Sequence, residues 1–171
     1  ITTRLFRDTS AWYHIVMSND NSVSSPDLKI YINGVEETSF STDNEYSQNE
    51  TTSFNNDYPN YISQKGSGAD YFDGSMSHFH WIDGTAYDAS PFGSTDSTTG
   101  QWKINIEPSV TYGTNGFFLF KDNAALTDQS GNSNNFTLSA GTLNKTEDTP
   151  DNVFNTLNRV AANQFTLSNG D

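Results

Sequence analysis

Residues 71–84, Tyr-Phe-Asp-Gly-Ser-Met-Ser-His-Phe-His-Trp-Ile-Asp-Gly, limit the possible folds more than any other stretch. Asp73-Gly74 and Asp83-Gly84 are turn dipeptides that tolerate positive φ. Between them the composition suits a strand. Alternation sends Phe79 and Trp81 to one face and Met76, His78, His80 and Ile82 to the other. Such a strand needs a second layer over its aromatic face, so the segment predicts a β-sandwich.

Other stretches agree. Residues 4–17 alternate Trp12, His14 and Val16 against Tyr13, Ile15 and Met17, which predicts a central strand covered on both sides. Leu28, Ile30 and Ile32 alternate with Lys29 and Tyr31, and Asn33-Gly34 follows as a type I′ hairpin turn. Residues 36–59 are acidic and poor in aliphatics, and read as a long loop with a short edge strand near Phe54. Tyr61-Ile62 opens another strand, and Ser90-Pro91-Phe92-Gly93 predicts one helical turn or a tight bend. Trp102, Ile104 and Ile106 alternate inward, Phe117 to Phe120 form a short strand buried on both sides, and Phe136-Thr137-Leu138 a brief one. Residues 128–135 read as a turn-rich loop. Helical spacing fits only residues 153–162, and only in part.

The 171 residues hold 33% hydrophobic but 13% aromatic side chains, so a few large rings must do most of the burial. With a net charge of −13 the chain is unsuited to phosphate backbones and to anionic lipid. We expect neither nucleic-acid nor membrane partners. Without cysteine there is no disulfide framework and no thiolate zinc site.

In order along the chain, several segments resemble the laminin-G-like, concanavalin-A-like sandwich of structural proteins in tailed, especially marine, phages. They are Arg7-Asp8-Thr9-Ser10-Ala11-Trp12-Tyr13-His14-Ile15-Val16, Leu28-Lys29-Ile30-Tyr31-Ile32-Asn33-Gly34, residues 71–84, Tyr112-Gly113-Thr114-Asn115-Gly116-Phe117, residues 128–137 and Asp148-Thr149-Pro150-Asp151-Asn152-Val153-Phe154. The resemblance implies an all-β, antiparallel two-sheet jelly-roll sandwich over residues 1–147, lacking its first strands. It implies a linker and the start of a following domain over 148–171. It also implies a non-enzymatic virion protein, such as a tail fibre, spike or capsid-surface protein. Its partners would be other virion proteins and a host surface glycan, and it would be a homo-oligomer in the particle. A purely architectural spacer is the other non-enzymatic reading.

A polysaccharide depolymerase is the enzymatic alternative. It needs two carboxyls across the scissile bond, about 5 to 9.5 Å apart, one with a raised pKa. No Glu-x-Asp-x-x-Glu run is present, and Glu36-Glu37 would point to opposite faces of a strand. We therefore expect no catalytic residues. His78 and His80 have chelating spacing, but His14 is the only other histidine, so we expect no metal there. They read equally as a solvent-facing strand surface or as imidazoles packed beneath a loop.

Calcium at the sandwich rim is implied by the resemblance, with Asp43-Asn44-Glu45, 70–73 and 122–128 as candidate loops. Asp and Asn are also ordinary turn residues. Tyr58, Tyr61, Tyr71 and Tyr87 lie beside Asn and Asp, the mixture that stacks on and hydrogen-bonds to sugars. The same rings also suit a core short of aliphatics. Three Asn-x-Ser/Thr triplets, at Asn49, Asn135 and Asn144, are expected by chance in so Asn- and Thr-rich a chain.

Overall fold

A computed structural model describes residues 1–25, 28–44, 46–50, 61–63, 71–122, 125–139, 141–146 and 150. The architecture is all-β and antiparallel, with one short 3-10 turn among the described residues. This is the fold class expected from the sequence. The proposed boundary at 148 and the edge strand near Phe54 lie outside the described residues, Pro150 aside.

The first sheet joins β1 (Ile15–Asn19), β2 (Leu28–Ile32) and β3 (Val35–Glu36) in that order. Ile15 opposes Ile32, Met17 opposes Ile30, and Ile32 opposes Val35. Directly opposed residues share a face, so these aliphatics form one apolar face. Val16, Tyr31, Lys29 and Glu36 lie on the other. Asn33 and Gly34 take φ of 50° and 77°, as a type I′ turn requires. The turn is tied to the strand before it. Asn33 N–H donates to His14 O, and Asn33 Oδ1 accepts from His14 N–H, both at 2.8 Å.

β1 departs from expectation in two ways. It is five residues long rather than spanning 4–17, and it is not covered on both sides: Ile15 is 55% exposed and Met17 60%. Among the described residues β1 pairs only with β2 and so forms the edge of the sheet they make. The N-terminal residues instead run beside residues 37–42. Thr2 bridges Phe40, Ser41 N–H donates to Ile1 O at 2.8 Å, and Arg4 Nε reaches the buried Glu37 carboxylate at 2.5 Å.

The second sheet pairs β4 (Phe79–Trp81) with β7 (Phe117–Leu119). One face carries Phe79, Trp81 and Phe117, with ring centroids 5.9 and 6.3 Å apart, and Phe136 lies 4.6 Å from Phe117. The opposite face stacks His80 on Phe118 at 4.0 Å, with Phe92 and Tyr112 around them. Phe118 is 4% exposed and Leu119 fully buried, so this short apolar strand is enclosed on both sides as expected. Phe79 and Trp81, whose face alone was expected to need cover, are half-buried. The His80 face packs at least as deeply.

A third pair joins β5 (Gly93–Thr95) and β6 (Trp102–Ile104), entered from the 3-10 turn Ser90–Phe92 at the predicted bend. Ile106, expected inward, is exposed. The ladder stops at Ile104. Asn105 N–H then donates to Phe92 O at 2.8 Å, and Pro108 follows.

Residues 61–63 bend rather than begin a strand, with Ser63 at φ 72°. Phe136–Leu138 is not a strand either. The loop before it is organised by a carboxylate: Asp128 accepts from the N–H groups of Phe118, Ser130 and Asn134 and from Ser130 Oγ, all at 2.8–2.9 Å. Burial raises the Asp128 pKa and these donors outweigh it, leaving the carboxyl below its ordinary range. The loop is further pinned by Asn132 and Asn134, whose amides donate to the carbonyls of Gly113, Thr114 and Gly116.

Candidate functional site

The polar face of the first sheet opens onto a groove. Two adjoining cavities of about 390 and 550 Å³ share Tyr31 and Asp88 as lining residues. Both sizes fall within the roughly 300–1,000 Å³ of small-molecule sites. Ser18, Asp20 and Lys29 line one cavity, and Gly34, Ser90, Gly93 and Trp102 line the other.

Tyr31 reaches the groove because strand alternation turns it away from Ile30 and Ile32. Val16 and Glu36 lie opposite it on the neighbouring strands. Burial, reinforced by the negative charge of Glu36 and Asp88 and offset by Lys29, raises its pKa. A half-buried, un-ionised phenol is a good platform for the apolar face of a ring.

Trp102 is fixed by the absence of side chains beside it. A Cβ on Gly34 would come within 2.1 Å of the indole, and one on Gly93 within 2.6 Å. Gly34 also has positive φ, so two requirements select glycine there. The indole N–H donates to His14 Nδ1 at 3.1 Å, and the two rings stack at 5.7 Å. Burial lowers the His14 pKa, which keeps the imidazole an acceptor for this bond. Trp102 therefore joins the hairpin of the first sheet to the β5–β6 pair and walls the groove.

Asp88 and Asp20 are built alike. Asp88 Oδ1 accepts from Ser90 N–H at 2.9 Å and Ser90 Oγ at 2.7 Å. Asp20 Oδ1 accepts from Ser22 N–H at 3.0 Å and Ser22 Oγ at 2.6 Å. These side-chain and then backbone hydrogen bonds lower both pKa values. Among the described residues, neither Oδ2 accepts a hydrogen bond. Both side chains are exposed, so each carboxylate has one oxygen anchored by its own turn and, among the described residues, a second that faces solvent and can accept from a hydroxyl or ammonium donor.

The four loop tyrosines are placed differently from one another. Tyr58 lies outside the described residues. Tyr61 and Tyr71 are exposed, Tyr71 at 68%, and their segments adjoin through Phe72 N–H donating to Ser63 O at 2.9 Å. Tyr87 turns toward the core, its ring edge-on to Phe92 at 6.3 Å and its hydroxyl accepting from Thr111 N–H at 3.2 Å. Tyr31 and Trp102 were not among the candidates. The available signal was Tyr31 as the lone aromatic on the polar face of an otherwise aliphatic strand.

The histidines separate as well. His78 takes φ 49° and its Nδ1 meets Ser77 Oγ at 2.7 Å. His80 Nδ1 meets the Tyr112 hydroxyl at 2.8 Å. Burial first, then the charges of His78 and His14, lower the His80 pKa to about 3. Burial pushes the Tyr112 hydroxyl up to about 12.

Of the candidate calcium loops, Glu45 and Asp70 lie outside the described residues, and Asp128 directs both oxygens to donors of its own loop. Asp43, Asp73 and Asp122 remain. Among the described residues, no group of three or more His, Asp or Glu side chains is placed to hold a metal ion.

A family model described as the concanavalin A-like lectin/glucanases superfamily matches residues 2–89. That stretch contains Asp20, Lys29, Tyr31 and Asp88 of the groove, whereas Trp102 comes from beyond it. No curated protein and no solved structure gives a significant match. The match spans more than half of the 171 residues and accords with the antiparallel all-β architecture: the chain belongs to the concanavalin A-like lectin/glucanases superfamily.

Proposed function

We propose that this chain is a non-catalytic carbohydrate-binding module whose ligand lies along the Tyr31–Asp88 groove. The observation that carries the reading is the meeting of an aromatic platform, a tryptophan wall and anchored carboxylates in one groove. Sugar rings stack their C–H faces on aromatics and offer hydroxyl donors to carboxylates. The side chains come from a sheet and from tight Asx turns, so little ordering is needed on binding.

Glycoside hydrolysis requires one carboxyl with a raised pKa. The Ser22 and Ser90 hydrogen bonds hold Asp20 and Asp88 in the opposite direction. That favours binding without cleavage. On the ordered phage-like segments of the sequence, we place the module in a tail fibre, spike or capsid-surface protein, where many copies would compensate for weak single sites. Calcium, if bound, would serve the rim and not the groove.

Titration of the protein with neutral and charged oligosaccharides, followed by NMR, tests the reading. Ligand should perturb the signals of Tyr31 and Trp102. Tyr31→Ala should weaken binding about tenfold, the equivalent of ~1.4 kcal/mol, while the folded spectrum persists. Unchanged affinity in a folded Tyr31→Ala protein would remove the groove from consideration. Labelling of purified particles with antibody against this chain tests the virion placement.

A further inference from the structure

The charges around Tyr31 are unequal. Asp20 and Asp88 line the groove, and Glu36 sits opposite Tyr31 across the β2–β3 ladder. Lys29 is the one cation among the described lining residues, and its ammonium is 3.9 Å from Glu36. A ligand entering here meets excess negative charge. The whole chain, at −13, adds repulsion of the same sign.

A uronate or sulfate group needs Arg or Lys to replace its lost hydration. In this groove it would face carboxylates instead. A protonated amine meets the reverse situation. It brings three donors on a compact charge, and Asp20 and Asp88 each keep Oδ2 without a donor among the described residues. Their Oδ1 atoms are already fixed by Ser22 and Ser90. The acceptors are therefore ionised and oriented before any ligand arrives, which lowers the cost of binding.

We propose that the groove prefers amino sugars, hexosamine units with a free protonated amine, to their N-acetylated forms, and that it excludes uronic-acid and sulfated glycans. Tyr31 supplies the stacking surface, and Asp88 with Asp20 receives the ammonium. This inference rests on the groove being the sugar site and adds the class of sugar that it takes.

The test is calorimetric titration of the protein at pH 6 with three tetrasaccharides: glucosamine, N-acetylglucosamine and galacturonate. The glucosamine tetramer should bind about tenfold more tightly than the N-acetylated one, the usual size of one added charge-assisted hydrogen bond. The galacturonate tetramer should not bind measurably. Raising salt from 50 to 500 mM should erode the glucosamine affinity and leave the N-acetylated affinity nearly unchanged. Asp88→Asn and Asp20→Asn should each reduce the ratio of the two affinities, a readout that general destabilisation would not move selectively. Equal or tighter binding of galacturonate overturns the selectivity and keeps the groove as a sugar site. An amine preference that persists in Asp20→Asn/Asp88→Asn assigns it elsewhere and overturns the proposal. Absence of binding by all three tetramers overturns the carbohydrate reading of the groove together with the preference.

Discussion

In the β4–β7 pair, Leu119 and Phe118 are closed off on opposite faces, whereas in the β1–β2–β3 sheet Ile15 and Met17 are more than half exposed. Both regions are short antiparallel ladders of apolar residues. They differ in what lies against each face. Phe117 stacks with Phe79, Trp81 and Phe136, and Phe118 with His80 and Tyr112. The Asp128 loop bonds to both backbone groups of Phe118, through its carboxylate and through Gln129 N–H. The first sheet buries Ile32 at the hairpin end and leaves β1 lightly covered. It also holds the buried Asn19 Oδ1, which has no hydrogen-bond partner among the described residues. Stability is therefore concentrated in the second sheet, while the polar face of the first carries the groove.

Breaking the comparison starts at its deepest point. Leu119→Ala should cost about 2–5 kcal/mol, as large-to-small substitutions do in cores that cannot collapse around the gap. Denaturant titration measures it. A cost below ~1 kcal/mol would mean that the second sheet is not the centre of stability. Asp128→Ala should cost about 1–3 kcal/mol, because it leaves the buried Phe118 N–H and the part-buried N–H groups of Ser130 and Asn134 without this acceptor. Its effect should reach β7, seen as faster amide exchange at Phe118, since that N–H is one of the donors.

Acid should act on the same sheet. The folded-state pKa of His80 is depressed to about 3, below its unfolded value near 6.5. The unfolded chain thus binds the proton that the folded chain refuses. Stability from this group is intact above pH 6.5 and falls by up to ~1.4 kcal/mol per pH unit as pH drops toward 3. Thermal melts between pH 7 and pH 5 should show the slope, and His80→Gln should flatten it. A wild-type melt flat over that range would show His80 to be solvated.

The smallest effect belongs to the first sheet. Ile15→Ser and Met17→Ser should each change stability by no more than about 0.5 kcal/mol. A loss comparable to that of Leu119→Ala would show β1 to be covered in solution and would erase the contrast.

Local chemistry was legible in the residues themselves. Asn33-Gly34 specified the type I′ turn, the Ser90-Pro91 bend formed where expected, and alternation placed Phe79 and Trp81 opposite His80. Each depends on φ preferences or on side-chain period within a few residues. The groove was far less legible. Its strand residue Tyr31 and its wall Trp102 are 71 positions apart, and loop tyrosines looked the better candidates. Tyr87 illustrates the difficulty: its setting beside Asp88 suggested recognition, but its hydroxyl and ring were taken by Thr111 and Phe92.

By itself the sequence determined an antiparallel all-β chain with aromatic burial, acidic character and its main hairpin turn. Those properties follow from composition, period and turn stereochemistry, all readable within a short window. Tertiary structure alone decided that His80 packs neutral against Phe118, that Asp128 pins β7, and that Gly34 and Gly93 make room for Trp102. Such meetings join residues far apart along the chain. They depend on which surfaces close over one another, and no local preference encodes that.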